Sequence, residues 1–257
     1  MQEFLSMDIY GSIQSWGDIA VGSSRSSYTY PSKSAIMGLI AAAFGISRDE
    51  TKLHQELEQS LKLAIKIFNS GTFIRDFHTV QSPPKGNYAS RQQEFAAMKV
   101  EQEKGKPIDT SPLSEREYLC DAYFGICLWE SKKPTFTLKQ VQEALLKPVF
   151  TLYLGRKSCP IGLPLNPTLG SFTNLKSALE SISPSSLIDS LLGYTNNSKT
   201  LIYWEKDTEI SSGLDAQFEL TRYDRLLNRN RWQFGNRVEF QGYLESTNEG
   251  ENSQNVL

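Results

Sequence analysis

The stretch with the clearest chemical potential runs Tyr153-Leu154-Gly155-Arg156-Lys157-Ser158-Cys159-Pro160. It combines two adjacent cations with a glycine, which lets the backbone approach a ligand closely, and with a tyrosine shortly before them. Cations can hold phosphates and an aromatic ring can stack on a base, so the combination suits a bent, single-stranded nucleic acid. The alternative is a β-turn with solvated charges, since exposed charge is the default on a protein surface.

A second candidate site lies where Pro31-Ser32-Lys33-Ser34 predicts the start of a helix. Proline near the first turn and serine at the N-cap are both start signals. Lys33 and Ser34 beside free backbone N–H groups could hold a phosphate. The alternative is an ordinary surface lysine at a capped helix. The stretch lacks the glycines of a Walker loop, so it does not indicate nucleotide hydrolysis.

Cations and aromatic residues recur together along the chain. This pattern suits single-stranded RNA, because bases stack on rings while guanidinium groups clamp phosphates. Taken alone, each aromatic residue is more often part of a core than a platform for a base. The residues in question are Arg25, Lys33, Arg156, Lys157 and the arginines from Arg222 to Arg237, with Trp16, Tyr28, Tyr30, Tyr153 and Trp232.

One catalytic option involves His78, with Lys85 and Tyr88 following it. A metal-independent ribonuclease can use histidine as general acid or base, with lysine or tyrosine helping to activate a 2′-hydroxyl. Alternatively, His78 is a polar strand residue or a hydrogen-bond donor to RNA. Two histidines and three scattered cysteines cannot make a zinc site, and no acidic cluster has EF-hand spacing. We therefore expect neither a metal nor a cofactor.

The composition predicts a soluble, cytoplasmic protein with no membrane contact. The chain of 257 residues has no apolar run long enough to span a membrane. Its N-terminus does not resemble a signal peptide, and an odd cysteine count, three, argues against a disulfide framework. The net charge of −2 excludes a uniformly basic nucleic-acid binder. Cations and carboxylates are segregated along the chain, however, which permits a local basic groove.

Periodicity and capping signals predict the elements that would position these residues. The order strand, helix, strand, strand, helix, strand is that of a ferredoxin-like or RRM-like α+β unit. The predicted strands are 4–10, 62–68 with its hairpin partner 72–80, 118–129, 149–154, 200–204, 217–221 and 237–244, and the predicted helices are 35–44, 49–61, 137–147 and 174–182.

The same pattern divides the chain into parts. Residues 1–160 would form the RRM-like domain, interrupted at about 81–115 by a polar insertion rich in proline and glycine. Residues 161–244 would form a smaller, β-rich C-terminal subdomain. Residues 245–257 are polar and acidic, and we expect a disordered tail there.

Several motifs occur in a fixed order and together resemble a known family. They are Gln14-Ser15-Trp16-Gly17, Pro31-Ser32-Lys33-Ser34-Ala35, Arg48-Asp49, Asp76-Phe77-His78-Thr79-Val80, Arg116 through Ala122, and Lys147-Pro148 through Pro160. This pattern resembles CRISPR-associated protein family five in its E. coli subtype, the CasD-type subunits of type I-E CRISPR Cascade. The match covers roughly residues 4–165 and weakens beyond them.

The resemblance implies a modified RRM-like (RAMP) domain with a β-hairpin thumb at the 81–115 insertion. It also implies an RNA-binding subunit that grips the repeat-derived 5′ handle of the CRISPR RNA (crRNA) and caps the complex in antiviral defence. The implied partners are the crRNA, the backbone subunit of family seven, the large subunit and other Cascade subunits, with target DNA contacted mainly through the complex. No enzymatic activity is implied, because another subunit of that subtype cleaves the precursor RNA. In a different subtype the family-five member is itself the ribonuclease, so processing of pre-crRNA through His78 stays an alternative.

Matched position by position, the resemblance also implies roles for single residues. Arg25 and Lys33 would hold phosphates, Tyr153 would stack on or bond to a base, and Arg156 would clamp the bend together with its neighbour Lys157. The full set of expected RNA-binding residues is Arg25, Lys33, Ser34, His78, Tyr153, Arg156 and Lys157.

Overall fold

The structure is a computed structural model that describes residues 1–17, 20, 22–79, 83–104, 113–192, 199–208 and 210–245, without the side chains of residues 101, 102, 191 and 192. Most of the predicted tail therefore lies outside the described residues, as do parts of the predicted insertion. Helices and strands are both well represented, which confirms the predicted α+β class.

The described residues contain eleven strands and six helices. The strands are β1 (Gln2–Tyr10), β2 (Ile13–Gln14), β3 (Ser24–Arg25), β4 (Leu61–Asn69), β5 (Thr72–Thr79), β6 (Leu113–Cys120), β7 (Tyr123–Glu130), β8 (Thr168–Phe172), β9 (Lys199–Glu205), β10 (Phe218–Asn228) and β11 (Gln233–Glu245). The helices are α1 (Lys33–Phe44), α2 (Thr51–Ser60), α3 (Arg91–Glu103), α4 (Leu138–Leu146), α5 (Leu175–Ser181) and α6 (Ser186–Leu192).

A seven-stranded sheet in the order β10-β11-β9-β4-β7-β1-β8 is the frame of the molecule, and every neighbouring pair in it is antiparallel. Strand β7, between β4 and β1, is buried from Tyr123 to Trp129, in keeping with its unbroken apolar sequence. One face of the sheet packs against α1, α2 and α4, and the other packs against α5.

Helix α1 forms where the sequence predicts it. Ser32 is the N-cap, and its Oγ accepts a hydrogen bond of 3.2 Å from the Ala35 N–H. Gly45 ends the helix in the left-handed conformation with φ 78°. The predicted helices at 49–61, 137–147 and 174–182 are likewise confirmed as α2, α4 and α5.

The predicted hairpin of 62–68 with 72–80 is wrong. In the large sheet β4 lies between β7 and β9, so both of its edges are occupied. After Gly71, whose φ is 71°, the chain enters a second sheet in which β5 pairs with β6. The predicted single strand 118–129 is also wrong, because Asp121 has φ 54° and divides it into β6 and β7.

The predicted strand 149–154 does not form either. The backbone N–H groups of Val149 and Phe150 donate to the carbonyl oxygens of Ala43 and Ala42, at 3.0 and 3.1 Å. These carbonyls belong to the last turn of α1, where no further turn supplies N–H donors, and the Ala42 carbonyl also accepts from the capping Gly45 N–H at 3.1 Å. The apolar segment therefore caps a helix end, and β8 takes the place beside β1 that a strand here would have filled.

The insertion and the C-terminal part add features that the sequence patterns did not specify. Residues 91–103 form α3, which the prediction lacked. Strands β8 to β11 all join the seven-stranded sheet, so both sides of residue 160 contribute to one sheet. The proposed division of the chain into two units stays a prediction.

A network of buried charges joins the start of α1 to the C-terminal strands. The Lys33 ammonium lies 3.0 Å from Glu205 Oε1 and 3.6 Å from Glu58 Oε1. The backbone N–H of Lys33 donates to the Asp224 carboxylate at 2.8 Å, and that carboxylate also accepts two hydrogen bonds of 2.8 Å from Arg237. Since desolvating an unpaired charge costs several kcal/mol, these partners hold α1 in place against β9, β10 and β11.

The alternation of buried and exposed side chains along β10 explains how the charge network is assembled. Along this strand Arg222, Asp224 and Leu226 are buried, whereas the residues between them are exposed. The Arg222 guanidinium lies over the Tyr30 ring, 4.5 Å from its centroid, and Tyr30 donates to Glu239 at 2.7 Å. Two arginines of the stretch from Arg222 to Arg237, its first and its last, thus belong to the protein interior.

Glu58 makes the stability of this network depend on pH. Burial raises the pKa of Glu58 to about 7, against the lowering effect of the Lys33 ammonium. Because the folded state then binds more protons than the unfolded state, the free energy of unfolding falls as pH rises from about 4.5 to about 7. We expect Glu58→Gln to remove this dependence. In urea titrations, the free energy of unfolding of Glu58→Gln minus that of the wild type should be larger at pH 8 than at pH 5 by about 2 kcal/mol.

The control for this measurement is Glu56→Gln, a partly exposed residue of the same helix that pairs with Lys52. It should leave the pH dependence of unfolding unchanged. A difference between Glu58→Gln and the wild type that stays constant across the pH range would contradict the prediction.

Candidate nucleic-acid interface

An open cleft of about 660 Å³ lies where five chain segments meet. These are the loop between β2 and α1, helix α1, the loop between α1 and α2 with Arg48, residues 152–156, and the turn between β10 and β11 with the start of β11. None of the described lining residues is Asp or Glu. The cationic ones are Arg25, Arg48, Arg156 and Arg229.

The turn from Tyr153 to Pro160 forms one wall of the cleft. It closes on itself through hydrogen bonds from the Leu154 N–H to the Cys159 carbonyl, 2.8 Å, and from the Cys159 N–H to the Arg156 carbonyl, 2.9 Å. The Leu154 carbonyl accepts a further bond of 3.1 Å from the Ser15 N–H, which ties the turn to the loop after β2.

Gly155 is required at this point for two independent reasons. Its φ is 86°, in the left-handed region that favours glycine. In addition, a Cβ at this position would overlap the carbonyl oxygen of Ser15. The glycine therefore allows the turn to lie directly against the neighbouring loop.

Arg156 is held in the wall without losing its charge. Its guanidinium donates to the backbone carbonyls of Glu117 and Arg25, at 3.3 and 3.2 Å, and lies 4.7 Å from the centroid of the Tyr118 ring. These partners are neutral, so they orient the guanidinium but leave its positive charge uncompensated.

Arg25 lies next to Arg156 because short strands bring the two segments together. Strand β3 pairs in parallel with β6 at Glu115 and Arg116. The exposed Arg25 guanidinium donates to the carbonyls of Gly22 and Ser24, at 2.6 and 2.9 Å. Its partners are again neutral, and the two cations lie on the same side of the cleft.

The turn between β10 and β11 forms another part of the cleft lining. The Arg229 guanidinium lies over the Trp232 ring, 4.2 Å from its centroid. Burial lowers the pKa of Arg229, and the positive charge of Arg48 lowers it further. The Arg48 and Arg229 side chains are therefore close enough for their positive charges to repel each other.

Two more predicted RNA-binding residues line the cleft, and three, Lys33, Lys157 and His78, do not. Tyr153 and Ser34 both line it, and Ser34 Oγ lies 3.0 Å from Ser32 Oγ. Lys157 is exposed but is not part of the lining. Lys33 corrects the prediction made for it: its ammonium is buried between Glu58 and Glu205, and so it is not available to a phosphate.

The residues of the catalytic alternative lie apart from the cleft. His78 is on β5, with its Nε2 2.7 Å from Asp76 Oδ2, and it does not line the cleft. Tyr88 Oη donates to the Pro84 carbonyl at 2.5 Å, and Lys85 is exposed. None of the hydrogen bonds or ion pairs among the described residues joins His78 to the other two.

Sequence reasoning missed part of the site. Arg229 and Trp232 were named only within the wider pattern of cations and aromatic residues, and Arg48 only as part of a motif, so none of the three was among the expected RNA-binding residues. The signal that could have found them is the hairpin turn 229–232, which places a tryptophan and an arginine outside the sheet. Gly38 was also missed; it faces the cleft from α1, and a Cβ there would meet nothing within 4 Å.

Neither a metal centre nor a membrane-spanning helix is found among the described residues. No group of three or more His, Cys, Asp or Glu side chains in this part of the chain is arranged to hold a metal ion. None of the described helices has the length and apolar character needed to cross a membrane.

Comparison with known proteins assigns the family. Residues 4–238 match the family model described as CRISPR-associated protein (Cas_Cas5). The chain belongs to the CRISPR-associated Cas5 family. The resemblance seen in the sequence motifs is thereby confirmed. A Cas5-family relative, CRISPR system Cascade subunit CasD of Escherichia coli (strain K12), is 32% identical over 173 residues, which make up 64% of this chain and 70% of that protein.

Solved structures share the fold of this Cas5-family chain. A chain of a structure described as a CRISPR RNA-guided surveillance complex has a TM-score of 0.62 and 19% identity, covering 95% of this chain and 90% of that one. A second, described as a crystal structure of a Cas protein, has a TM-score of 0.60 and 22% identity, covering 94% and 95%. The mixed architecture with a large antiparallel sheet is thus common to all three.

Gly155→Ala should damage the wall of the cleft. The new methyl group would overlap the Ser15 carbonyl oxygen and would require an unfavourable φ, so we expect a loss of at least about 2 kcal/mol in the free energy of unfolding. Chemical denaturation measures it. The matched control is Gly17→Ala, where a Cβ meets nothing within 4 Å. Equal stability of the two variants would refute the account of this turn.

Proposed function

We propose that this Cas5-family chain is an RNA-binding subunit of a CRISPR Cascade surveillance complex, and that it grips the 5′ handle of the crRNA in the arginine cleft and caps the complex. The single observation that carries the proposal is a cleft lined by four arginines and, among its described lining residues, by no carboxylate. Uncompensated guanidinium groups in a concave site attract phosphates, with which they form charge-assisted hydrogen bonds.

The shape of the cleft favours a short single-stranded segment. Its volume of about 660 Å³ is that of a pocket for a small ligand, which suits a few nucleotides of a strand that bends through it. Tyr153, Trp232 and Phe234 line the same space and offer rings for stacking. We assign phosphate contacts to Arg25 and Arg156, and we leave Lys33 out of the RNA contacts.

We further propose that β1, α1, β4, β7, α4 and β8 form the ferredoxin-like, RRM-like unit expected from the sequence. The support is the element order strand, helix, strand, strand, helix, strand, together with the antiparallel arrangement β4-β7-β1-β8. Here β8 replaces residues 149–154 as the fourth strand. The thumb would consist of the antiparallel pair β5–β6 and of α3, which lies between these two strands in the sequence.

The partners proposed for this chain follow from its family and from the relative named a Cascade subunit. They are the crRNA, the backbone subunit of family seven, the large subunit and other Cascade subunits, with target DNA reached mainly through the complex in the cytoplasm. We propose a binding role without catalysis. In support, His78 lies apart from the cleft and has no described contact with Lys85 or Tyr88.

The double change Arg25→Ala with Arg156→Ala should weaken binding of repeat-derived handle RNA by about 100-fold, because two charge-assisted contacts are lost. Filter binding or anisotropy at several salt concentrations measures this. The slope of log K against log salt should fall in magnitude by about 1.4. The control is Lys52→Ala with Lys139→Ala, which removes the same charge from exposed helix positions. Equal losses in both double variants would exclude the cleft as the binding site.

Incubation of the full chain with pre-crRNA in EDTA tests the non-catalytic role. We expect binding without cleavage, both for the wild type and for His78→Ala. Cleavage by the wild type that disappears in His78→Ala would instead support the processing ribonuclease.

Gly38→Phe should block the cleft from its floor. A side chain at this position projects into open space, so the ring should occupy the volume proposed for RNA and reduce affinity by at least about 10-fold. Gly38→Ala is the control, because a methyl group leaves most of the cleft open and should slightly stabilise α1. Unchanged RNA affinity in Gly38→Phe, with the fold intact by circular dichroism, would contradict the placement of the RNA.

A further inference from the structure

Trp232 differs from the other tryptophans of the chain. Trp16, Trp129 and Trp204 are buried, whereas Trp232 is 60% exposed at the rim of the cleft. A tryptophan ring carries a large apolar surface and a π-face that can stack on any nucleobase.

The backbone of Trp232 is held in an unfavourable conformation. Its φ is 51°, in the left-handed region that bulky residues rarely adopt. The turn is fixed by the Trp232 N–H donating to the Arg229 carbonyl at 3.2 Å and by the Arg231 N–H donating to Asn228 Oδ1 at 3.1 Å. Such strain at an exposed aromatic residue points to a role for the ring rather than to packing.

Only one face of the ring is covered by a cation. Arg229 lies 4.2 Å from the ring centroid, and the large exposed fraction of Trp232 leaves the opposite face accessible. A guanidinium on one face holds the ring in position while a planar group stacks on the other.

Arg48 and Arg229 supply a phosphate site beside the ring. The positive charge of Arg48 lowers the pKa of Arg229, and the described residues that line the cleft with them include no carboxylate. An anion placed between two such guanidinium groups would relieve their repulsion and accept hydrogen bonds from both.

We infer that Arg48, Arg229 and Trp232 form a subsite for one nucleotide of the bound RNA, in which the base stacks on the open face of Trp232 and the phosphate lies between the two guanidinium groups. The inference rests on the proposed function and adds a second contact region, besides that of Arg25 and Arg156, within the same cleft. Because stacking uses a π-face that every base has, the subsite selects a single-stranded nucleotide and tolerates all four bases.

The test uses the full chain and repeat-derived handle RNA of the same CRISPR locus, intact or with one abasic position at a time. The emission of Trp232 is taken as the difference between the wild type and Trp232→Phe. Intact RNA should quench this emission, and one abasic position, or two adjacent ones, should restore it. That same abasic RNA should bind the wild type about 10-fold more weakly.

Trp232→Gly is the matched variant, because glycine accepts the left-handed backbone and so preserves the turn. It should bind intact RNA about 10-fold more weakly, while the critical abasic position should cost it nothing further. Trp232→Phe keeps a ring and should retain most of the affinity. Arg48→Ala should reduce the salt slope of binding by about 0.7 while base stacking persists.

The outcomes separate this inference from the proposed function. RNA that binds through Arg25 and Arg156 but leaves Trp232 emission unchanged would overturn the subsite alone. Full affinity of Trp232→Gly for intact RNA would overturn it as well. So would a further loss of affinity when Trp232→Gly binds the RNA with the critical abasic position. Failure of the wild type to bind handle RNA would overturn both proposals.

Discussion

The arrangement of the cleft depends on the buried ion network between the start of α1 and the C-terminal strands. Lys33 contacts Glu205 with its side chain and Asp224 with its backbone, so β9 and β10 are both fixed against the helix. Buried charges tolerate little displacement, because a lost partner leaves a desolvated charge uncompensated. The network therefore fixes the position of the hairpin of β10 and β11. As a result, the turn at the end of this hairpin, with Arg229 and Trp232, lines the cleft together with residues 152–156.

The arginines near the C-terminus perform two different tasks, and the strand alternation separates them. Arg222 and Arg237 point to the helix-covered side, where carboxylates neutralise them. Arg229 follows the end of β10, beyond the reach of those carboxylates, and lines the cleft. One short stretch thus supplies both the arginines that carboxylates neutralise inside the protein and the arginine whose charge stays uncompensated in the cleft. Only the uncompensated arginine is suited to binding a polyanion.

Local signals were enough to predict four of the six described helices, α1, α2, α4 and α5, and the turn at Gly155, since caps, periodicity and glycine act over a few residues. Pairing between distant segments was not predictable. The apolar run 149–154 resembles a strand, yet its N–H groups donate to carbonyls in the last turn of α1, where the helix supplies no further turn of donors. Lys33 was predicted to bind phosphate because its partner Glu205 lies 172 residues away in the sequence, and local patterns do not reveal a partner at that distance. The meeting of Arg48 with Arg229 has the same cause, as it depends on the completed sheet.

The position of β4 in the sheet bears on how the chain folds during synthesis. One edge of β4 pairs with β7, but the other waits for β9, at residues 199–205. Until that segment leaves the ribosome, an apolar strand keeps a row of unpaired N–H and C=O groups, which invite pairing with other chains. Such long-range closure is slow. A chain interrupted before residue 199 would therefore expose an unpaired sheet edge that is prone to aggregation. The C-terminal strands are thus needed to keep the N-terminal half from aggregating.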